Sequence, residues 1–242
     1  MCDLCLFCFA VSSTSKVALV VPSSRKLKPT DRLPLKSHRI YKVPYKSGFE
    51  EEMIRLELEG RTFQFFMKMN EILSTLCESV LNSTEIFKEL EGFDLIIYDS
   101  ISNGAVLIGE KLDIQRVEIM PGPPNNPFGF AHMIPMPVSY VPQLITGFSD
   151  EMTFVERVLN LGAYLVFKLG VTLISYRKMD ALKVKYNIKP ERSFQEALAD
   201  AEMVIIGADF AVEYPQPLLP GMTAYAKSLK ELHHYPKSRR QR

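Results

Sequence analysis

Asp99 is the residue whose type and position most directly admit chemistry. It closes the apolar run Phe93-Asp94-Leu95-Ile96-Ile97-Tyr98 and is followed by Ser100, Ser102 and Asn103. A carboxylate at the carboxyl end of a buried strand lies on the edge where parallel sheets hold their ligands, and there it can orient a base or bind a hydroxyl. The same place also suits a helix cap, because short polar side chains accept from the first free amides of a helix. The residues alone leave these two roles of Asp99 even. Glu91 and Asp94 read as surface charges.

The other reactive side chains are less well placed. His132 falls in a proline-studded segment, where plain exposure is the simpler reading and a binding role the sharper one. His38 lies in a strand-like stretch, and His233 and His234 sit in a basic tail, where such pairs are solvated. Cys2, Cys5 and Cys8 have the C-x2-C-x2-C spacing of cluster-binding ferredoxins, but no cysteine lies near Ser12 to complete the set, so no metal is expected. Cys77 stands alone inside a helical pattern and reads as core. The sequence has no G-x-G, G-x-S-x-G or H-E-x-x-H, which removes dinucleotide fingerprints, nucleophile elbows and zinc-protease helices.

The elements that must position these groups follow from periodicity. Val17–Val21 is an aliphatic strand ended by Pro22, Arg25–Lys36 a basic loop, and His38–Val43 a second strand. A long helical block covers Phe49–Leu81, with Phe65, Phe66, Met69, Ile72, Leu73, Leu76, Cys77 and Val80 on one core-packing face, and Ser83–Leu90 adds a shorter helix. Phe93–Ser100, Ala105–Leu112 and Arg116–Met120 read as strand, helix and strand, a βαβ unit that implies a parallel sheet covered by helices. The prolines of Pro121–Pro142 predict a long loop without regular structure. Ser149 and Asp150 offer a cap for a helix starting near Met152. Val158–Tyr176 is apolar almost all round, which fits a buried helix pair better than a face against another chain or a membrane surface. Met179–Tyr186 is amphipathic, Phe194–Leu198 opens a helix, Met203–Ile206 is a buried strand, and Asp209–Pro220 is an extended, proline-rich exit.

Composition sets the limits. The chain has 242 residues, 47% of them apolar, with 29 basic against 28 acidic residues and a net charge of +1. That balance excludes a dedicated nucleic-acid binder and an acidic disordered chain. Four cysteines are too few for a disulfide scaffold of this size. Leu4–Val11 is apolar but short, a weak leader or an unstructured start, and no uncharged apolar run reaches the roughly 18 residues of a clear membrane span.

Three segments, in order, resemble the amino-terminal half of the UDP-glucuronosyltransferase and UDP-glycosyltransferase family: FDLIIYDS from Phe93, PMPVSYVPQLITGFSDEMTFVERVLN from Pro135 and DFAVEYPQPLLP from Asp209. The resemblance runs from about Val17 to Gly221, and SYVP with KYNIKPERS (Lys185–Ser193) is most similar to the ceramide galactosyltransferase-like branch. It implies an α/β fold: a Rossmann-like parallel sheet with flanking helices, a partial amino-terminal domain of a GT-B glycosyltransferase. It further implies inverting transfer of a hexosyl or glucuronosyl group from a UDP-sugar to a lipophilic hydroxyl acceptor. In that chemistry a histidine takes the acceptor proton and an aspartate, matched by Asp99, orients it. Phe128, Phe130 and His132 fall in the acceptor-facing region. Asn82-Ser83-Thr84 is a glycosylation sequon in keeping with the family's setting at the endoplasmic reticulum membrane or lumen.

The departures carry their own expectations. Val17–Val21 resembles the family's second strand, so the first strand and the base histidine are expected upstream of it, and the sheet is expected to expose an edge. His38 lies 61 positions before Asp99, too near to be that base. Residues 1–16 are expected to be a leader or unstructured start, 17–221 the partial acceptor-binding domain, and 222–242 a basic polar tail standing where a donor domain would follow. No cofactor is expected, the UDP-sugar being a co-substrate whose site lies outside this chain, which alone is expected to be inactive. The alternatives are a non-catalytic module pairing with full-length transferases as a homo- or hetero-oligomer, with membrane-surface contact, or a binder of lipophilic ligands.

Overall fold

Side chains branched at Cβ pack well on a pleated surface, and the aliphatic runs Val17–Val21, Leu95–Ile97 and Val204–Ile206 lie in strands. The computed structural model describes residues 8–11, 17–22, 38–43, 49–124, 128–143, 146–210 and 213–225, with side chains from residue 51 onward, Phe128 excepted. The ferredoxin-like cysteine side chains, the Arg25–Lys36 loop, and His233 and His234 lie outside the described residues. The strands are β1 (Cys8–Val11), β2 (Val17–Pro22), β3 (His38–Val43), β4 (Leu95–Asp99), β5 (Gln115–Met120), β6 (Met203–Ile206) and β7 (Met222–Ala224). They form one sheet in the order β3-β2-β1-β4-β5-β6-β7. β1 is antiparallel to β2 and β4, and the other strands all run the same way.

Two strands lie beyond the expected boundaries. Cys8–Val11 was expected to belong to a leader or unstructured start, yet it sits between β2 and β4, with Cys8 opposite both Val20 and Tyr98. The edge expected to be exposed is thus paired. An apolar run too short for a helix satisfies its amides most simply on the open edges of β2 and β4. At the other side of the sheet β7 pairs with β6 inside the segment expected to be a polar tail.

The helical block divides into α1 (Phe49–Leu58) and α2 (Thr62–Leu81). Gly60 separates them with φ +67°, a left-handed conformation that ends helices and that only glycine adopts without strain. Of the stripe read from the sequence, α2 buries Ile72, Leu73, Leu76, Cys77 and Val80, while Phe65, Phe66 and Met69 are half-buried. α3 (Thr84–Leu90) is capped by Ser83, and α4 (Ala105–Leu112) joins β4 to β5 as the βαβ pattern requires.

The proline-studded segment is not wholly irregular: it holds one helical turn, α5 (Phe128–Ala131). Gly129 permits it, since a Cβ there would stand 2.6 Å from the Pro124 carbonyl oxygen. α6 (Phe154–Gly170) is capped by Thr153 rather than by Ser149 or Asp150, because Thr153 has Glu156 three residues on and the two form a reciprocal capping box. α6 continues through a π-turn (Val171–Tyr176) into α7 (Arg177–Lys185), and α8 (Phe194–Ala199) follows with a Ser193–Glu196 capping box. The favoured expectation of a buried helix pair over Val158–Tyr176 is overturned. The segment belongs to one continuous helix whose outer face is in solvent, with Val158 53% and Val166 69% exposed.

The core lies between α2, α4, α7, α8 and the sheet, centred on Ile96, Tyr98, Val106, Leu107 and Phe194. Cys77 belongs to it, and burial pushes its thiol up to about 12. The core also encloses an ion pair between Lys183 on α7 and Glu110 on α4, whose side chains are 1% and 2% exposed. Arg192 approaches the same carboxylate at 3.5 Å. A buried charge left without its partner costs about 3–5 kcal/mol, whereas replacing both partners by apolar side chains is often neutral. Lys183→Met is therefore expected to lower the urea-unfolding free energy by about that amount. Lys183→Met with Glu110→Leu is expected to recover most of it; a double variant as unstable as the single one would contradict this.

Candidate functional site

The carboxyl ends of β4 and β5 meet next to β1, where the strand order reverses, which is where open α/β sheets form ligand crevices. Asp99 stands there. Its Oδ1 accepts from the Ile101 amide at 2.8 Å, capping a 3-10 turn over Ser100–Ser102, so the capping role is realised and is compatible with a second one. Burial raises the Asp99 carboxyl above the usual range; the Ile101 amide opposes this and the nearby Glu118 charge adds to it. Two polar atoms of the same turn, Ser100 Oγ and Asn103 Oδ1, are buried without a hydrogen-bond partner among the described residues. Such atoms are rare in folded proteins, so the turn beside Asp99 presents acceptor and donor capacity toward a polar group.

The residue missed by sequence reasoning is Glu118. Tyr98 and Glu118 are paired across β4 and β5 and so share a face of the sheet. Glu118 is 2% exposed, and its Oε2 accepts from the Tyr98 hydroxyl at 3.0 Å and from His132 Nε2 at 3.0 Å. His132 is accordingly 7% exposed, and the expectation of plain exposure is overturned: the imidazole fastens the proline-rich segment to the sheet. Tyr176, in the π-turn, also faces this cluster; burial first, then the Glu118 charge, raise its phenol well above the ordinary value. In Arg116-Val117-Glu118-Ile119-Met120 the apolar types invite Val117 and Ile119 to the inside, yet Arg116 and Glu118 are buried, on one face with Met120. No residue-type pattern signals this inversion, because it depends on partners from distant segments.

Phe130 is buried and meets Tyr164 of α6 edge to face, ring centroids 5.4 Å apart. Phe128 opens α5, and its side chain lies outside the described residues. A second tie joins the same segment to α6. Asn160, fully buried, accepts from the Gln143 amide and donates to the Val138 and Val141 carbonyls at 2.7, 2.8 and 2.9 Å. The structure thus joins His132 to Glu118 and Phe130 to Tyr164, and no hydrogen bond among the described residues links either to Asp99, which is near enough to Glu118 to feel its charge. Asn82 is remote from this edge, exposed at the end of α2, its Oδ1 accepting from the Tyr186 hydroxyl at 2.8 Å. Among the described residues no cluster of His, Cys, Asp and Glu could hold a metal ion.

Comparison with known proteins returns one family model, that of the UDP-glucuronosyl and UDP-glucosyl transferases, matching residues 34–239. Rat UDP-glucuronosyltransferase 1A5 is 28% identical over 75% of this chain and 36% of the relative. Human 2-hydroxyacylsphingosine 1-beta-galactosyltransferase is 28% identical over 59% of this chain and 30% of the relative. The chain therefore spans about a third of the length of the curated relatives it matches. The solved glycotransferase of kitacinnamycin is 14% identical, with a TM-score of 0.34, over 69% of this chain and 33% of that one.

Two outcomes follow from the site. A carboxyl whose folded-state value lies above its unfolded one costs stability as pH rises through that value. Asp99→Asn keeps the cap and removes the buried charge, so the variant is expected to be more stable than the parent at neutral pH. The gap should close as pH falls below the usual carboxylate range; denaturation midpoints across pH check this, and a variant equal to or weaker than the parent at pH 7 would contradict it. Glu118→Ala leaves the buried His132 nitrogen without its acceptor and is expected to cost about 1–3 kcal/mol in urea unfolding, with Glu118→Gln costing less.

Proposed function

The chain belongs to the UDP-glucuronosyl and UDP-glucosyl transferase family, and on that premise we propose that its residues form the acceptor-binding part of a GT-B enzyme. The whole protein would transfer a hexosyl or glucuronosyl group from a UDP-sugar to a lipophilic hydroxyl compound. The observation that carries this reading is Asp99 at the carboxyl end of β4, half-buried, with two unpartnered polar atoms in the turn it caps. In the proposed mechanism a base histidine takes the proton of the acceptor hydroxyl as that oxygen attacks the anomeric carbon and UDP departs. Asp99 holds the imidazole in the productive tautomer and stabilises its cation. His132 is not that base, being engaged with the buried Glu118. It acts instead with Phe130 to shape the apolar wall over the acceptor.

The UDP-sugar is a co-substrate in this reading and is held by parts of the protein beyond these residues, so the 242-residue chain alone binds acceptor without transferring sugar. In this reading the whole protein would sit at the endoplasmic reticulum membrane and carry a glycan on Asn82 on its lumenal side. The two relatives, a glucuronosyltransferase and a galactosyltransferase, match at the same 28% identity, so identity does not choose between the sugars. A second reading, a non-catalytic module pairing with longer transferases, draws on the exposed outer face of α6.

The test is ligand-induced stabilisation of the purified chain. A lipophilic phenol such as 1-naphthol, or a short-chain ceramide, is expected to raise Tm, while UDP, UDP-glucose, UDP-galactose and UDP-glucuronate leave it unchanged and no labelled sugar is transferred. Stabilisation by a UDP-sugar without any response to lipophilic hydroxyl compounds, or transfer by the chain alone, would overturn the reading.

A further inference from the structure

The proposed mechanism gives Asp99 a task and leaves the two polar atoms beside it without one. Ser100 is 5% exposed, and its Oγ is buried with no hydrogen-bond partner among the described residues; the same holds for Oδ1 of the half-buried Asn103. The 3-10 turn over Ser100–Ser102 ends at Asn103, which keeps helical backbone with φ −57°. In such a turn side chains three positions apart stand over one another. Ser100 and Asn103 therefore share one side of the turn that Asp99 caps.

That turn is fixed at both ends. Asp99 Oδ1 accepts from the Ile101 amide at its start. Behind its end the Cys77 thiol of α2 donates to the Gly104 carbonyl at 3.5 Å, and a Cβ at Gly104 would stand 2.8 Å from the Cys77 Cβ. The Val106 amide donates to the Asn103 carbonyl as α4 begins. A backbone pinned in this way cannot turn to give Ser100 and Asn103 internal partners. Buried polar atoms held unpaired cost stability, and they persist where a bound group offsets that cost.

The atom types say which group that is. Asn103 Oδ1 only accepts, while the Ser100 hydroxyl donates as well as accepts. An ammonium offers donors alone and a carboxylate acceptors alone. One neutral hydroxyl does both, so it can give its hydrogen to Asn103 and receive that of Ser100. Charge disfavours the other two further. An ammonium would shed its water here while both nearby acids are engaged, Asp99 with the Ile101 amide and Glu118 with Tyr98 and His132. A carboxylate would add a negative charge beside Asp99, whose ionisation burial and Glu118 already oppose.

We propose that Ser100 and Asn103 select acceptors that carry a second hydroxyl next to the reacting one, as in a catechol or another vicinal diol. Asn103 Oδ1 accepts the hydrogen of that second hydroxyl and Ser100 donates to its oxygen, while Asp99 serves the reacting hydroxyl through the base. The inference rests on the acceptor reading and adds a substrate class to it: neutral vicinal diols ahead of single alcohols. Neither residue touches the reacting atoms; both decide which compound presents its hydroxyl there.

The test is isothermal titration calorimetry of the whole 242-residue chain with four compounds: 2-naphthol, the vicinal diol 2,3-dihydroxynaphthalene, the monomethyl ether of that diol and the matching ortho-hydroxy carboxylate. The diol is expected to bind about tenfold more tightly than 2-naphthol, because a site built to hydrogen-bond a hydroxyl rejects ligands that leave it unpaired. The ether keeps the second oxygen and lacks its hydrogen, so it should bind no better than 2-naphthol, and the carboxylate should bind less well than either. In the Ser100→Ala with Asn103→Ala variant the ratio of the two Kd values should move to about one, with the parent's circular dichroism spectrum and an unfolding midpoint no lower, since two unpaired buried atoms have been removed. Equal affinity of the parent for diol and 2-naphthol, tighter binding of the ether or the carboxylate than of the diol, or an unchanged ratio in the folded variant would overturn the inference and leave the acceptor reading standing. No saturable binding of any of the four compounds to the folded chain would overturn the acceptor reading and the inference with it.

Discussion

Glu118 carries a carboxylate into the interior at the point where the sheet gives way to the segment that follows β5. A buried charge is tolerable only when hydrogen bonds replace the water it gave up. Here the replacements come from two directions, the Tyr98 hydroxyl on the neighbouring strand and the His132 imidazole on the far side of α5. The need to satisfy one acid thus fixes the pairing face of β4, the course of a proline-rich segment and the position of Phe130. It also reaches Asp99, whose ionisation the Glu118 charge opposes. Removing Glu118 would leave the elements in existence but release the segment they position.

The same segment is held again from the opposite side. Asn160 takes three hydrogen bonds within it, and Tyr164 packs on Phe130. Proline removes amide donors and limits local pairing, so a segment rich in proline depends on side chains from elsewhere to define its path. α6 is consequently a two-sided element: one side orders the candidate site, and the other presents exposed apolar side chains to the surroundings.

Much of the scaffold was legible from residue types. The strand ending at Asp99, the βαβ unit through Met120, the α2 stripe containing Cys77 and the strand at Met203 follow from periods of two and 3.6 residues, which local burial dictates. What was not legible depends on distant partners. The strand at Cys8 exists because β2 and β4 offer edges on either side, and nothing within Leu4–Val11 distinguishes that from a leader. Val158–Tyr176 has the composition of a buried pair, and only the packed fold reveals that one side stays open. The inward turn of Arg116 and Glu118 runs against their types, since Asp200, Tyr98 and His132 lie far along the chain or on another element. At the site itself, Asp99 was found through its place at a strand end, which sequence conveys. His132 was noticed in the proline-studded segment, its acceptor-facing role was read only from the family resemblance, and its burial was not foreseen.

The central claim is that a lipophilic hydroxyl compound is held at the carboxyl edge of β4 and β5, under the segment that His132 fastens to Glu118. The most direct measurement is a heteronuclear NMR titration of the chain with 1-naphthol, following the His132 ring nitrogens, the Phe130 ring and the Asp99–Ser102 amides. The account predicts saturable shifts confined to these groups and to Tyr164 on the inner side of α6. Saturable shifts confined to the outer face of α6, or no saturable shift from a folded chain, would contradict it.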